Sequence, residues 1–440
     1  MAVSKRTGAA LLVLLGLPLG GIALAQSSGQ TVRHHKVVEQ DSSVPPELTQ
    51  AESAIEKHGF ATAEPLLKKV VASDPNNFQA WFDLGFVYIG LGNAQASIEA
   101  YRKSVAAKPD VFESNLNLGL MLAKTGQADA EQFLQAATRL IPTANVDEGH
   151  ARAWLSLAHV LESSRPDEAL AAYKQAAALQ PKDPEAHLSA GLLLEKENRF
   201  AGAEQEYKQA LASDPGSSDA LTGMANIYIR GQRFGEADPI LRKLISMHPD
   251  DVAARIQLAH ILIMLEKFDD AVAELQEALK ADPANAQAQS DLGDLYLKTK
   301  KYDQAEALYR SMLATHADNA QLHQYLGIIF LKERKFPQAQ QELLAAVKLK
   351  PDLGEAYGDL ATAAVENKNY ELAIKAADAR AKFLPEVPVS YFLRASAYDH
   401  LRNYKLAAQN YHRFLEAANG AYPDQEWQAR HRLIAIEPKK

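Results

Sequence analysis

The 440-residue sequence contains no cysteine, and this absence excludes several kinds of chemistry at once. Disulfide bonds, thiol nucleophiles, thiolate metal ligands and a lipid anchor attached through cysteine all need that side chain. Common catalytic signatures are also missing: there is no Gly-rich phosphate loop, no His-Glu-x-x-His and no Gly-x-Ser-x-Gly. We therefore expect no catalytic residue, no cofactor, no metal site and no small-molecule substrate.

Basic clusters are absent as well. The formal net charge is −8, and no run of five or more basic residues occurs. Proteins that bind nucleic acid through the phosphate backbone carry a basic patch, so we expect no nucleic-acid partner.

Long apolar runs are scarce, and the clearest one lies near the start of the chain. Lys5 and Arg6 precede an apolar run at residues 9–19, and a small-x-small site ends at Ala25. This pattern predicts a signal peptide at 1–25, cleaved after Ala25, and a periplasmic or secreted protein. The alternative is an uncleaved membrane anchor, which a run this short disfavours. Residues 26–43 are polar and predict a flexible linker.

What the chain has in abundance is one repeated helix-turn-helix pattern, clearest at residues 81–109. Trp81, Leu84, Gly85 and Tyr88 recur at three- and four-residue steps, which places them on one face of a helix. Gly92-Asn93 predicts the end of that helix, and a second helix should follow as far as a closing proline. Such a helix pair leaves one apolar side uncovered, so it needs further copies beside it.

Those copies appear as three series of residues, each with a constant step of 34. The first-helix series is small: Gly191, Ala225, Ala259, Gly293, Gly327, Ala361, Ala395. The second-helix series is also small: Ala203, Ala237, Ala271, Ala305, Ala339, Ala373, Ala407. The third is aromatic: Phe200, Phe234, Phe268, Tyr302, Phe336, Tyr370, Tyr404. Series kept in step over seven copies predict packing positions, not ligands or catalysts.

The spacing of Trp81, Leu84, Gly85, Tyr88 and Tyr101 resembles the tetratricopeptide repeat pattern. The resemblance implies an all-α, right-handed superhelical α-solenoid of about eleven repeats. We expect N-terminal repeats at 44–142, an insert loop at 143–152, further repeats at 153–421, and a capping helix and tail at 422–440. In the capping helix, Trp427, His431 and Ile434 share a face.

The insert breaks the period by four residues and contains Asp147, Glu148 and His150. These residue types include metal ligands, but a solvated connecting loop explains them more simply. We expect the insert to bend the superhelix or to separate two groups of repeats.

The resemblance also implies that a partner binds in the concave groove, on first-helix residues that packing does not use. The early repeats place apolar residues there and the later ones polar residues such as Asp294, Gln321 and Gln324, which suits an extended or helical partner segment. An alternative is that neighbouring helices partly cover the leucines. The candidate groove residues are Phe82, Phe86, Ile89, Leu116, Leu120, Leu155, His159, Leu188, Leu192, Asn226, Arg230 and His260.

The favoured function is a non-enzymatic scaffold that binds other proteins in the cell envelope or outside the cell, with membrane contact only through export. The alternative is a structural part of an envelope secretion or exopolysaccharide export machine. An enzyme that uses the insert or the groove histidines is a third class, and it would require metal in the purified protein.

Overall fold

The computed structural model describes residues 44–437, and these fall into two compact modules. The N-terminal module, residues 44–247, contains helices α1 to α12. Their bounds are α1 Pro46–Glu56, α2 Phe60–Ser73, α3 Phe78–Gly90, α4 Ala94–Ala107, α5 Phe112–Lys124, α6 Ala130–Ala137, α7 Val146–Leu161, α8 Pro166–Leu179, α9 Glu185–Lys196, α10 Phe200–Ser213, α11 Ser218–Arg230 and α12 Phe234–Met247.

The C-terminal module, residues 248–437, contains helices α13 to α23. Their bounds are α13 Val252–Met264, α14 Phe268–Ala281, α15 Ala286–Lys298, α16 Tyr302–Thr315, α17 Ala320–Lys332, α18 Phe336–Leu349, α19 Gly354–Glu366, α20 Tyr370–Phe383, α21 Pro388–His400, α22 Tyr404–Ala418 and α23 Pro423–Ile436.

Within each module, every odd-numbered helix except α23 packs against the helix that follows it, each such pair packs against the next pair, and α23 packs against α22. Over residues 44–437 this gives eleven helix pairs, one additional helix and no strand, which confirms the predicted all-α repeat solenoid. No helix in this described range is long and apolar enough to span a membrane.

The two small-residue series are the contact positions of these pairs. All seven members of the second-helix series, from Ala203 to Ala407, are at most 1% exposed. In the first-helix series, Gly191 lies against the buried Tyr207 ring, and a Cβ built on this glycine would lie 2.6 Å from the ring. Gly85 and Tyr101 repeat this arrangement. The glycine therefore makes room for a tyrosine sixteen residues later.

Residues of the aromatic series contact the first helix of the next repeat. The Arg230 guanidinium lies 4.8 Å from the centre of the Phe200 ring, and the Lys298 ammonium 4.4 Å from that of Phe268. In the later pair Tyr370 and His400, two rings stack with centroids 4.4 Å apart. A cation or a flat ring over an aromatic face stabilises this joint.

In five repeats, a second joint is a hydrogen bond from the fourth residue of the first helix. Its side chain donates to the carbonyl oxygen six residues earlier, which is a proline carbonyl in most cases. The donors differ in type: Trp81 at 2.9 Å, Asn115 at 2.8 Å, Arg255 at 3.1 Å, Gln289 at 2.8 Å and His323 at 3.2 Å.

In ten of the eleven helix pairs, the turn between the two helices contains a residue with positive φ, and the exception is the α7–α8 turn. Gly92 and Gly126 occupy it in two repeats, with φ of 74° and 69°. In other repeats a residue with a side chain adopts the same conformation, for example Lys300 with φ of 59° and Arg402 with φ of 59°. Left-handed backbone is sterically unfavourable for residues other than glycine, so these turns store strain.

We expect Lys300→Gly to raise the free energy of unfolding by about 0.5–1 kcal/mol, because glycine adopts this φ without a Cβ clash. Gly92→Ala should have the opposite sign. Urea unfolding followed by circular dichroism measures both changes. A loss of stability in Lys300→Gly would show that the lysine side chain, not the backbone conformation, decides the energy of the turn.

The predicted insert loop at 143–152 is wrong over most of its length. Only residues before Val146 are in the connection, because α7 begins at Val146 and includes the rest. Asp147 and Glu148 lie in its first turn, where acidic side chains complement the helix dipole. The connection is also held in place, since Thr143 N–H donates to the Glu113 carboxylate at 2.8 Å.

The capping helix is present as α23, but a different face of it is buried. Glu426, Ala429 and Leu433 are buried, whereas Trp427 is 61% exposed and Ile434 73% exposed. Ala429 follows Ala395 by 34 residues, so it continues the small first-helix series and turns toward α22. Register with the repeats, and not the position of the largest apolar side chains, therefore sets the buried face.

Candidate partner-binding surface

Within each module, side chains of neighbouring first helices contact one another. We call the side of the module on which these contacts lie the first-helix face, and it includes His159 and Ser189 in one module and His260 and Asp291 in the other. In the N-terminal module, His159 Nε2 of α7 lies 3.4 Å from Ser189 Oγ of α9. In the C-terminal module, His260 Nε2 donates to Asp291 of α15 at 2.6 Å. Each contact joins the first helices of two neighbouring repeats, and the two contacts use the same pair of repeat positions in both modules.

Four of the predicted groove residues lie inside the core of the N-terminal module. Phe82 is 1% exposed, Leu116 0%, Leu120 7% and Leu155 6%. Phe82 packs in one core cluster with Tyr101, and the three leucines belong to another core cluster. The prediction of an open apolar tract at these four positions is therefore wrong, because helix packing already covers them.

The other apolar candidates are partly accessible. Phe86, Ile89, Leu188 and Leu192 are half-buried. Phe86 lies edge-on to the Phe60 ring with centroids 6.1 Å apart. These four side chains keep apolar surface at the first-helix face.

The polar candidates in the N-terminal module differ in accessibility. Asn226 is half-buried, and Arg230 is exposed while its guanidinium stacks on Phe200. His159 is half-buried and packs edge-on against the Tyr173 ring, with centroids 5.4 Å apart. Burial lowers the pKa of His159 below its ordinary value, which keeps the imidazole neutral at pH 7.

In the C-terminal module the first-helix face is polar. Asp291 accepts from His260 and also from the Gln287 amide, at 2.8 Å. One repeat further on, Gln324 is buried and donates to Asp359 of α19 at 2.9 Å. Hydrogen bonds thus connect α13 to α15 and α17 to α19, and the sequence did not predict these pairings.

Asp294 lies one helical turn beyond Asp291 and has no hydrogen bond or ion pair within the described residues 44–437. The residue as a whole is solvent-exposed. Surrounding atoms nevertheless desolvate its carboxyl group, and this desolvation, together with repulsion from Asp291, raises the pKa of Asp294 above its usual value. Asp294 is therefore an uncompensated carboxylate on this face.

Buried tyrosines of the second helices reveal a further pattern. The Tyr207 hydroxyl donates to Glu195 at 2.8 Å, and Tyr411 donates to Asp399 at 3.4 Å. In both repeats the acidic acceptor precedes the tyrosine by twelve residues. This pairing could have been found in the sequence from the spacing of acid and tyrosine.

The repeat that contains Tyr309 breaks this pattern. Leu297 occupies the acceptor position. Tyr309 is 1% exposed, and within residues 44–437 its buried hydroxyl has no hydrogen-bond partner. Its oxygen lies against Gly293 of α15, immediately before Asp294. The Tyr309 ring stacks on Tyr325 of α17 with centroids 5.0 Å apart.

We expect Tyr309→Phe to stabilise the protein by about 1 kcal/mol, because it removes a buried hydroxyl that has no partner. Tyr207→Phe is the matched control, and it should destabilise by about 1 kcal/mol because Glu195 loses its donor. Thermal unfolding followed by circular dichroism compares the two variants. Equal losses of stability would show that the Tyr309 hydroxyl is satisfied, for example by water.

The acidic and histidine residues of the former insert do not converge. His150 Nε2 donates to the Leu140 carbonyl at 2.7 Å, and Glu148 accepts from the Asn145 amide at 3.0 Å. Throughout the described residues 44–437, no group of three His, Asp or Glu side chains is arranged to hold a metal ion.

Comparison with known proteins adds the family relationship. A family model described as the C-terminal domain of cilia and flagella-associated protein 70 matches residues 24–292, which is more than half of the chain. Two models described as tetratricopeptide repeat match residues 262–327 and 326–388.

Two curated relatives share part of the chain. Protein O-mannosyl-transferase TMTC3 of Homo sapiens is 23% identical over 145 residues, and the Mus musculus protein of that name is 24% identical over 145 residues. Each match covers 30% of this chain, and the chain spans only 16% of the length of either relative.

Solved structures with similar folds include YrrB, described as a TPR protein with an unusual peptide-binding site. It is 20% identical, with 42% of this chain and 95% of that chain covered and a TM-score of 0.37. The C-terminal part of a TPR repeat-containing protein from Cytophaga hutchinsonii is 17% identical, with 56% and 99% covered and a TM-score of 0.49. The Cut9–Hcn1 hetero-tetramer of the APC/C is 16% identical, with 88% and 97% covered and a TM-score of 0.37. At these identities the similarity concerns the fold alone.

Proposed function

Because the chain belongs to the tetratricopeptide repeat family, with more than half of it matching the cilia and flagella-associated protein 70 C-terminal domain model, we propose that it is a non-enzymatic scaffold. It binds segments of partner proteins on the first-helix faces of its modules. Its partners are proteins, and neither nucleic acid nor a small-molecule substrate is part of its function.

One observation carries this proposal: the first-helix face keeps side chains that the helix packing does not use. Leu188 and Leu192 are half-buried and so keep accessible apolar surface, and Arg230 in the following repeat pair is exposed although its guanidinium also stacks on Phe200. A surface that combines partly covered apolar side chains with polar ones suits a peptide or helical segment.

A non-enzymatic role is supported by the way in which the histidines and carboxylates of the face are used. His260 is bound to Asp291, and Gln324 is bound to Asp359, so these groups hold neighbouring first helices together. The name of the mannosyl-transferase relatives describes proteins of which this chain spans only 16%, and it carries no activity over to this chain.

The protein acts in the cell envelope or outside the cell, after export directed by residues 1–25. These residues lie outside the described part of the chain, so the proposal is supported by the sequence pattern alone. Fractionation of cells that express the full chain tests it: a mature N-terminus at Gln26 in the periplasm or medium is expected, and full-length protein in the cytoplasm contradicts it.

Cross-linking of the tagged full chain in its native cells tests partner binding. Leu188→Asp combined with Leu192→Asp should remove specific cross-linked partners, because aspartate cannot occupy a desolvated apolar contact. The control is Ile141→Asp, which changes an apolar side chain that is 78% exposed in the connection before α7. If the Leu188/Leu192 variant retains every partner, the first-helix face of the N-terminal module is not the binding surface.

A structural role in a secretion or polysaccharide export machine is the alternative, and the same experiment separates the two. A scaffold for segments yields partners that depend on Leu188 and Leu192. A machine component yields a stable, stoichiometric complex that is insensitive to both substitutions.

A further inference from the structure

At the joint between α1 and α3, two acidic residues occupy the repeat positions that hold a hydrogen-bonded pair elsewhere. In the C-terminal module, His260 donates to Asp291, which follows it by 31 residues. Glu52 of α1 and Asp83 of α3 are separated by the same interval, and α1 contacts α3. Asp83 and Asp291 are each the sixth residue of their helix. The repeat register therefore brings two carboxyl groups together on the first-helix face, where like charges repel.

The burial of Asp83 restricts where a cation beside it can come from. Asp83 is 0% exposed, and Glu52 is half-buried. A buried carboxylate is stable only beside a cation or several hydrogen-bond donors. A partner from solution cannot reach a side chain that has no exposed surface, so a cation beside Asp83 belongs to the chain itself. Three lysines on or next to the neighbouring helices α2 and α4 contact other groups: Lys68 pairs with Glu64, Lys103 lies over the Trp81 ring and Lys108 lies over the Phe78 ring.

Apolar surface lies next to the two acidic residues. Phe86 follows Asp83 by one helical turn on α3, and Ile89 follows Phe86 by another. Both side chains are half-buried and keep apolar surface at the first-helix face. Carboxylates beside an aromatic ring are a favourable environment for an ammonium or guanidinium group. This part of the face therefore suits a segment that carries both basic and apolar side chains.

The chain contains such a segment shortly before α1. Residues 33–36 read Arg-His-His-Lys, and Val37 and Val38 follow them. They lie outside the described part of the chain. They also follow the predicted cleavage site at Ala25, so a mature chain retains them. The charge of this segment is opposite to that of the α1–α3 joint.

The segment is attached close to the joint. The described part of the chain begins at Val44, which packs against a core cluster that α1 and α3 share. This cluster includes Ala51 and Leu84, the residues adjacent to the two acids. Glu52 lies eight residues beyond Val44, mostly along a helix, which is roughly 10–15 Å. The eight residues from Lys36 to Val44 span up to about 26–29 Å when extended, so the segment reaches both acids.

We propose that residues 33–36 of the chain bind at the α1–α3 joint, as an intramolecular ligand of the first-helix face. The basic side chains pair with Glu52 and Asp83, and Val37 packs against Phe86. The segment covers the N-terminal end of the face, so a partner of the N-terminal module binds the later first helices or displaces the segment. This inference goes beyond the proposed function and does not require it, because the ligand is part of the chain.

Trypsin cleaves after arginine and lysine, so its rate of cleavage after Arg33 and Lys36 in the full chain measures how often the segment leaves the joint. Glu52→Gln should raise this rate about tenfold, because the bound segment loses one charge-assisted pair. The matched control is Glu56→Gln, the same change at an exposed position one turn later on α1, and it should alter the rate by less than about twofold. Equal rates in the wild type and in both variants overturn the inference.

A spin label supplies a readout that does not depend on a protease. The chain has no cysteine, so Gln30→Cys provides a single site for a nitroxide label three residues before the segment. Electron paramagnetic resonance should show an immobilised label, and Lys36→Glu should make it mobile. Adding Glu52→Lys to Lys36→Glu exchanges the two charges and should immobilise the label again. A label that is mobile in the otherwise unchanged chain, or one that stays mobile after the exchange, contradicts the pairing.

These outcomes are distinct from those that test the scaffold function. Leu188 and Leu192 lie on α9, away from the α1–α3 joint in the order of the repeats. A mobile label in a chain whose partners still depend on these two leucines overturns the inference alone. An immobilised label in a chain that keeps every partner after both leucines are changed leaves the inference standing and overturns the proposed binding surface.

Discussion

Gly293→Leu is expected to lower the free energy of unfolding by about 2–3 kcal/mol, among the larger effects a single substitution produces in this chain. A Cβ at position 293 would overlap the Tyr309 hydroxyl. Tyr309 cannot move away easily, because it is 1% exposed and stacks on Tyr325. The added side chain therefore forces α15 and α16 apart.

Urea unfolding followed by circular dichroism measures this loss, and a double substitution provides the control. Gly293→Ala combined with Tyr309→Leu recreates the pair found one repeat earlier, where Ala259 stands sixteen residues before the buried Leu275. This double variant should unfold at a urea concentration much closer to that of the wild type than Gly293→Leu does. If Gly293→Leu unfolds at the wild-type urea concentration, position 293 is not a close contact between helices.

Leu116→Asp should destabilise the N-terminal module by about 4 kcal/mol, because it buries a carboxylate in an apolar cluster. Leu116 is 0% exposed and packs with Phe112 and Leu120. The matched control is Leu188→Asp, at the equivalent first-helix position of a later repeat, where the side chain is half-buried.

Thermal unfolding monitored by the fluorescence of Trp81 and Trp154, both in the N-terminal module, compares these two variants. We expect a large drop in unfolding temperature for Leu116→Asp and a small one for Leu188→Asp. Comparable unfolding temperatures would mean that Leu116 is accessible in solution, and it would again be a candidate contact residue.

The repeat architecture could be predicted from the sequence because the packing positions recur at a constant interval. Gly191, Gly293 and the alanines from Ala203 to Ala407 identify the helix contacts without any knowledge of coordinates. The same register correctly implies eleven helix pairs.

How deeply each first-helix side chain is buried could not be predicted in the same way. Periodicity assigns Leu116 and Leu188 to the same helix face, yet the first is buried and the second half-buried, because burial depends on the size of residues in neighbouring repeats. The extent of α7 was missed since Asp147 and Glu148 read equally well as loop residues or as a helical first turn.

The candidate site was predicted only in its outline. Polar residues such as Asp294, Gln321 and Gln324 were placed on the correct face, but their pairing with residues of other repeats depends on side-chain geometry. The unpaired Tyr309 hydroxyl is visible in the sequence only after Glu195 and Asp399 reveal what Leu297 has replaced.

The donor joint between successive repeats has a consequence for how such chains diverge. Trp81, Asn115 and His323 differ in size and aromaticity, yet each donates an N–H group to the carbonyl oxygen six residues earlier in the chain. Where this bond occurs, it depends on a side-chain N–H group and not on the identity of the residue that carries the group. Repeats as different at this position as those of Trp81 and His323 can therefore keep the same link to the turn that precedes the helix.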